Sequence, residues 1–146
     1  MSIDVIVGGQ AGDEGKGKLA AYLALEGDYS AVIRTSSPQS GHTLEYNGRR
    51  MGIATLPCGF LNKKVKVLIG RGAYIYVPKL LKELEANGLN NSSRVGIDAY
   101  ATIVTEEHLK EELENSNLMK NVGSVGTGSG IARRDKLMRN PNLTFA

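Results

Sequence analysis

The seven residues Gly12 to Lys18, reading GDEGKGK, constrain this chain more than any other stretch. They follow a β-branched run over residues 3–7, interrupted only by Asp4, and they precede a helix-favouring run over residues 18–25. Strand, glycine turn and helix in that order predict a P-loop-like opening to an α/β fold. Gly12, Gly15 and Gly17 remove the side chains that would hold a phosphate away from backbone N–H groups, and a helix N-terminus adds partial positive charge. Lys16 and Lys18 supply point charges. The segment also meets the GxxxxGK spacing, but Leu19 stands where Ser or Thr would hold magnesium, so the metal must find another ligand. Asp13 is the candidate, because an acid inside a phosphate loop repels its ligand unless a cation or a substrate proton offsets it. A dinucleotide loop is disfavoured: GxGxxG is absent, and no acidic residue about 20 positions on ends a second strand.

The rest of the chain continues the alternation. Residues 31–34 read as a short strand, and residues 35–41 (TSSPQSG) are too dense in turn formers for regular structure, so His42 follows a loop. Residues 43–46 and 49–56 flank Asn47 and Gly48, the pair that best tolerates a tight hairpin. A strand is expected over residues 65–69. Pro78 then opens a helix in which Leu80, Leu81 and Leu84 share a face until Gly88 stops it. Residues 95–97 form a brief strand, and Thr105 caps a helix with Glu106 and Glu107 in its first turn, fading near residues 115–117. His108 is expected on a solvated face. Residues 123–130 (GSVGTGSG) place Gly at four of eight positions ahead of Arg133, Arg134, Lys136 and Arg139, which predicts a second anion-binding loop. The pattern as a whole predicts one domain over residues 1–146: an α/β fold with a central, mostly parallel sheet, flanking helices and a β-hairpin.

Composition narrows the partners. The formal charge of +3 suits anionic small molecules, yet no basic stripe marks a nucleic-acid face. Cys58 is the sole cysteine of 146 residues, which excludes an internal disulfide and points to a reducing, cytoplasmic setting. No apolar run reaches membrane-spanning length.

Five landmarks in order, GDEGKGK, Gly41-His42-Thr43, residues 56–59 (LPCG), residues 69–72 (IGRG) and GSVGTGSG, resemble those of adenylosuccinate synthetase. The likeness covers essentially the whole chain but only the N-terminal part of that family's fold, and the compact spacing is closer to archaeal members. The resemblance implies a GTP-dependent carbon–nitrogen ligase of purine biosynthesis: GTP phosphorylates the 6-oxygen of IMP, and the amine of L-aspartate displaces the phosphate. It implies Mg²⁺ as cofactor, held by Asp13 and the Gly41 carbonyl. Catalysis would fall to Asp13, taking the N1 proton, and to His42, stabilising the 6-oxygen. Gly12, Asp13, Glu14, Gly15, Lys16, Gly17, Lys18, Gly41, His42 and Thr43 would cradle GTP. Asp13, Glu14, Gly15, Lys16, Gln39, Ser40, Gly41, His42, Ser124, Val125 and Arg139 would meet IMP, with Arg139 reaching across a homodimer.

Departures from the family pattern cluster in the nucleotide loops. Gln39 and Ser40 replace the usual Asn and Ala, Val125 stands at a phosphate-binding Thr, and Ile131 at a Pro. Such changes fit a phage branch acting on dGMP to make a 2-aminoadenine precursor, although that branch lacks the acid retained at Asp13. A non-catalytic nucleotide-binding fragment is the other alternative. The family's C-terminal part recognises guanine and aspartate, so this chain alone is expected to be inactive and to expose apolar sheet.

Overall fold

In the computed structural model, which describes residues 3–10, 12, 14–90 and 92–146, chain order sets up a parallel sheet with its cover on one side. Helix α1 (Lys16–Glu26) leads into β1 (Ala31–Arg34); the hairpin β2 (His42–Tyr46) and β3 (Arg49–Ile53) follows, then a 3₁₀ turn (Cys58–Leu61) and β4 (Lys66–Ile69). Next come β5 (Tyr74–Ile75), α2 (Val77–Ala86), β6 (Val95–Ile97), β7 (Thr102–Ile103), α3 (Glu106–Glu114), a π-helical segment (Asn117–Val122) and α4 (Ser129–Leu137). Strands β1, β4 and β6 lie side by side in that order, both pairings parallel, and β5 pairs in parallel with β7. The α/β class and the parallel sheet therefore match expectation.

One expected element does not form. Residues 3–7 join no strand, and Ile3, Val5 and Val7 are 80%, 76% and 78% exposed. β-Propensity alone does not make a strand, which needs a partner edge and burial to hold it.

The hairpin turns where the sequence predicts, with Asn47 at φ 51° and Gly48 at φ 72°. Both residues in the left-handed region match the right-handed twist of the flanking strands.

The core gathers on the Val32 side of the sheet. Leu44, Ile53, Leu56, Val67, Ile69 and Ile75 are buried there, joined by Ala21 of α1 and Leu80 of α2. Gly59 lets the helix approach: a Cβ there would stand 2.6 Å from Val32 Cγ1 and 2.7 Å from Ala24 Cβ. Its neighbour Cys58 is buried and free, and burial pushes its thiol up to about 11, so it stays protonated and unreactive at neutral pH. Helix α2 departs from the expected leucine face. Leu81 points outward, 55% exposed, while Glu83 is 8% exposed beside Leu80. Its carboxylate accepts from the backbone N–H groups of Ala54, Thr55 and Leu56 at 2.9–3.2 Å. That bundle of donors repays the desolvation of an acid, which no leucine could do for three buried amides.

His108 also differs from expectation. It is 8% exposed, because its Nδ1 accepts from the Thr105 backbone N–H at 3.0 Å in a capping box and its Nε2 lies 3.6 Å from Asp135 Oδ2. A residue at the third position of a helix faces back to the cap, so local backbone chemistry buries it.

Candidate active site

The site starts at the N-terminus of α1. Gly15 adopts φ 71° and accepts from the Leu19 N–H at 3.0 Å, a left-handed cap open to any residue only at strain. Gly12, at φ 110°, lies exposed in the turn, and its carbonyl accepts from Gln10 Nε2 at 3.1 Å. Asp13 lies outside the described residues. Glu14 caps the turn from within: one oxygen accepts from the Gln10 N–H at 2.7 Å and the other pairs with Lys16 Nζ. Lys18 is exposed. A phosphate arriving at this turn would compete with Glu14 for the ammonium of Lys16.

His42 meets this turn directly. A Cβ built on Gly17 would stand 2.6 Å from His42 Cγ and 2.9 Å from His42 Nδ1, so the imidazole rests on the glycine backbone at the start of α1. Burial comes first among the causes that lower the His42 pKa, followed by the positive charges of Arg34 and Lys16. The free chain thus carries a neutral His42 at pH 7. Gly17→Ala tests this contact. Alanine alone favours a helix interior by about 1 kcal/mol over glycine, yet here the methyl must displace the ring. Expected are a fold retained by circular dichroism and a changed His42 ring environment by NMR; an unchanged His42 resonance would refute the contact.

The loop over residues 35–41 is held by groups that the sequence did not single out. Arg34 ends β1 with its guanidinium partly buried and donates to Leu56 O at 3.0 Å, Ser40 O at 2.7 Å, Ser40 Oγ at 2.9 Å and Ser36 Oγ. Burial lowers its pKa, opposed by Cys58 and Glu83, but an arginine remains charged. Lys79 of α2 donates to Pro38 O at 3.0 Å. Ser40 is thereby turned inward, while Gln39 stays exposed and Gly41 and Thr43 open to solvent. A cavity of about 470 Å³ adjoins the loop, lined by Gly41, His42, Thr43, Gly52, Ile53, Ala54, Lys79 and Glu83. An arginine closing an apolar strand before a serine-rich loop was a usable signal; Glu83, inside an ordinary helix, offered none.

The second glycine loop is anchored on an acid of α3. Ser124 Oγ and the Gly128 N–H both donate to the carboxylate of Glu112, a residue only 2% exposed. Those two donors are taken by an acid from α3, and Val125 projects outward, 66% exposed. Gly126 and Gly128 pack against Leu113, Val104 and Leu109, so the loop is positioned by α3 and the end of β7. The basic run that follows is largely structural. Arg134 pairs with Glu111 and Asp135, while Lys136 donates to Thr102 Oγ1 at 2.8 Å and lies 5.4 Å from the Tyr74 ring centroid. Arg139 is exposed, at φ 54° just past the end of α4.

The family model described as adenylosuccinate synthetase matches residues 5–144. The chain belongs to that family. The adenylosuccinate synthetase of Methanococcus aeolicus is 40% identical over 145 residues, covering 98% of this chain and 43% of the relative. That of Thermococcus onnurineus is 37% identical over 92% of this chain and 40% of the relative. The fully ligated adenylosuccinate synthetase of Plasmodium falciparum superposes with a TM-score of 0.78 at 28% identity, over 89% of this chain and 31% of that one. A cyanophage S-2L succinoaminodeoxyadenylate synthetase, bound to dGMP with dATP as an energy donor, gives 0.73 at 30% identity, over 93% and 38%. This chain therefore spans less than half the length of the adenylosuccinate synthetases it matches. Among the described residues, no helix is long and apolar enough to cross a membrane.

Proposed function

We propose that residues 1–146 form the N-terminal, GTP- and IMP-phosphate-binding part of an adenylosuccinate synthetase acting in the cytoplasm, and that the activity requires the remaining part of the fold. The observation that carries this reading is the seating of His42 on Gly17, which joins the glycine turn and the Gly41-His42-Thr43 loop into one site. The glycine turn at the head of α1 would take the triphosphate with Lys16 and Lys18, and the cavity beside Gly41 and His42 would take the purine. Asp13 removes the N1 proton, which raises the nucleophilicity of the 6-oxygen, and His42 offsets negative charge growing on that oxygen. The 6-oxygen takes the γ-phosphoryl group of GTP, the amine of aspartate then displaces it as phosphate, and Arg139 meets the IMP phosphate of a dimer partner.

Among the described residues no cluster of three or more His, Cys, Asp or Glu could hold a metal. Mg²⁺ needs only one or two protein oxygens beside substrate phosphates. Asp13 and the carbonyl of solvent-facing Gly41 would supply those oxygens. When bound, Mg²⁺ supplies charge neutralisation at the transferring phosphoryl group.

Arg139 takes the left-handed turn that closes α4, where the Asn140 N–H donates back to Asp135 O at 2.9 Å. A non-glycine residue in the left-handed region costs about 1–2 kcal/mol, and glycine there would relieve it. Arg139→Gly should therefore raise the urea midpoint of this chain slightly while weakening IMP affinity about tenfold or more in the assembled enzyme. Equal or tighter IMP binding would remove Arg139 from the site.

The dGMP reading is second, favoured by the cyanophage neighbour and by Gln39 and Ser40 in the loop beside His42. The deciding experiment combines calorimetric titration of GTP with Mg²⁺ and assays for product from IMP or dGMP with L-aspartate, with the C-terminal part of a relative supplied. Binding without turnover on either nucleotide would leave only a nucleotide-binding fragment.

A further inference from the structure

Two of the sequence landmarks, LPCG over residues 56–59 and IGRG over residues 69–72, take no part in the proposed reaction, yet both meet the same residue. Arg34 closes β1 at the foot of the loop over residues 35–41. Its carbonyl accepts from the Gly70 N–H at 2.9 Å, and its guanidinium donates to the carbonyl of fully buried Leu56 at 3.0 Å. A Cβ on Gly70 would stand 3.0 Å from Thr35 Cγ2 and 3.3 Å from Ile33 Cγ2, so the loop starts against a residue without a side chain. The Tyr74 N–H then donates to Ser36 O at 3.1 Å. Both landmarks thus bind the base of the loop.

The guanidinium is braced from behind. Leu56 presents its carbonyl to Arg34 and its N–H to Glu83 Oε2 at 3.0 Å, so it lies between a partly buried cation and a buried anion. Hydrogen bonds to charged partners are the stronger kind, and Leu56 is gripped from both sides. Toward the site, Nη2 of Arg34 donates to Ser40 O at 2.7 Å and to Ser40 Oγ at 2.9 Å. The Ser40 carbonyl and the Gly41 N–H belong to one peptide plane, so fixing the first aims the second. Gly41 is solvent-facing and has no side chain to pack, while His42 begins β2 opposite Ile53. The conformation of Gly41 is therefore set from its two ends, by Arg34 on one side and by strand pairing on the other.

We infer that Arg34 is a positioning residue for the reaction: it holds the peptide between Ser40 and Gly41 so that the Gly41 carbonyl and the His42 ring reach their places beside the glycine turn. The inference rests on the roles proposed above for Gly41 and His42, and it needs no contact between Arg34 and a substrate. Lysine here would keep the charge and lose the fork. Three separate nitrogens of Arg34 serve Ser36 Oγ, Leu56 O and Ser40 O, and a single ammonium cannot stand in all three places.

Arg34→Lys tests this, in the chain alone and in the chain assembled with the C-terminal part of a relative. Alone, the variant should keep its circular dichroism, while the amide resonances of Ser40 and Gly41 and the ring resonances of His42 shift and the hairpin tip at residues 46–49 stays unmoved. In the assembled enzyme kcat should fall about tenfold or more, with KM for GTP and IMP within about threefold, because the displaced groups act during phosphoryl transfer. Combined with His42→Asn, the loss should stay well short of the product of the two single losses, since a residue acting through the imidazole has little left to position. Unmoved resonances at residues 40–42, a raised KM with kcat retained, or losses that multiply would each overturn the inference. If the lysine variant does not fold, Arg34→Gln carries the same comparison, and loss of the fold in both would mark Arg34 as structural and overturn it too. An assembled native enzyme that turns over neither IMP nor dGMP would sink the proposed reaction, and the resonances of the chain alone would then decide whether Arg34 aims the loop.

Discussion

His42→Asn, in the chain assembled with its complementary part, is expected to lower turnover by about 10² to 10⁴-fold, the range for losing a positioned acid or base. The fall should appear in kcat more than in nucleotide affinity, because the imidazole acts on charge that develops during phosphoryl transfer. The electrostatics supply a second signature. Burial and the cations Arg34 and Lys16 hold the His42 pKa below its ordinary value in the free chain. Bound phosphates would offset those cations, so its NMR titration midpoint should move up when GTP and Mg²⁺ are added.

The stability sign follows from the same shift. Between the lowered folded value and the unfolded value near 6.5, the unfolded chain binds more protons, so stability rises with pH across that window and falls as pH drops through it. Near-normal turnover in the variant, or a midpoint indifferent to nucleotide, would remove His42 from the chemistry. Asp13→Ala should match the loss in turnover, since each residue handles one proton or charge of the same step.

Glu83→Leu is expected to destabilise the chain by about 3–5 kcal/mol, measured as a shift of the urea unfolding transition. Three backbone N–H groups converge on this carboxylate from residues 54–56. Leucine fills the space and answers none of them, and each orphaned buried amide costs about 1–3 kcal/mol, reduced where the segment relaxes. Glu83→Gln keeps one acceptor oxygen and should lose roughly half as much. Since domains of this size are stable by about 5–15 kcal/mol, the leucine variant loses a large share of the total. A change below about 1 kcal/mol would show that the loop finds other partners. The same carboxylate lines the cavity beside His42, so the glutamine variant should also disturb nucleotide binding.

These two residues stand at opposite ends of what the sequence disclosed. His42 was legible in its placement: it follows a loop of turn formers downstream of a phosphate turn, and it seats on Gly17 beside that turn. Glu83 was not, because a glutamate within VPKLLKELEA looks like any solvated helix position until the helix docks. Arg34 is intermediate: its place at a strand end was visible, but not its four oxygen partners. His108 was misjudged because its burial depends on a capping box that turns a polar side chain inward.

By itself the sequence determined the alternation of strand and helix, the hairpin turn at Asn47 and Gly48, the glycine turn at the head of α1, and the family. Each is a local property, set by side-chain branching, φ preference or hydrogen bonding within a few residues. Tertiary structure alone decided which polar groups went inside: Glu83 beneath residues 54–56, Glu112 of α3 against the second glycine loop, Arg34 behind the loop over residues 35–41. It also decided that residues 3–7 stay unpaired, since a strand exists only where another strand offers its edge and a covering layer takes its side chains out of water.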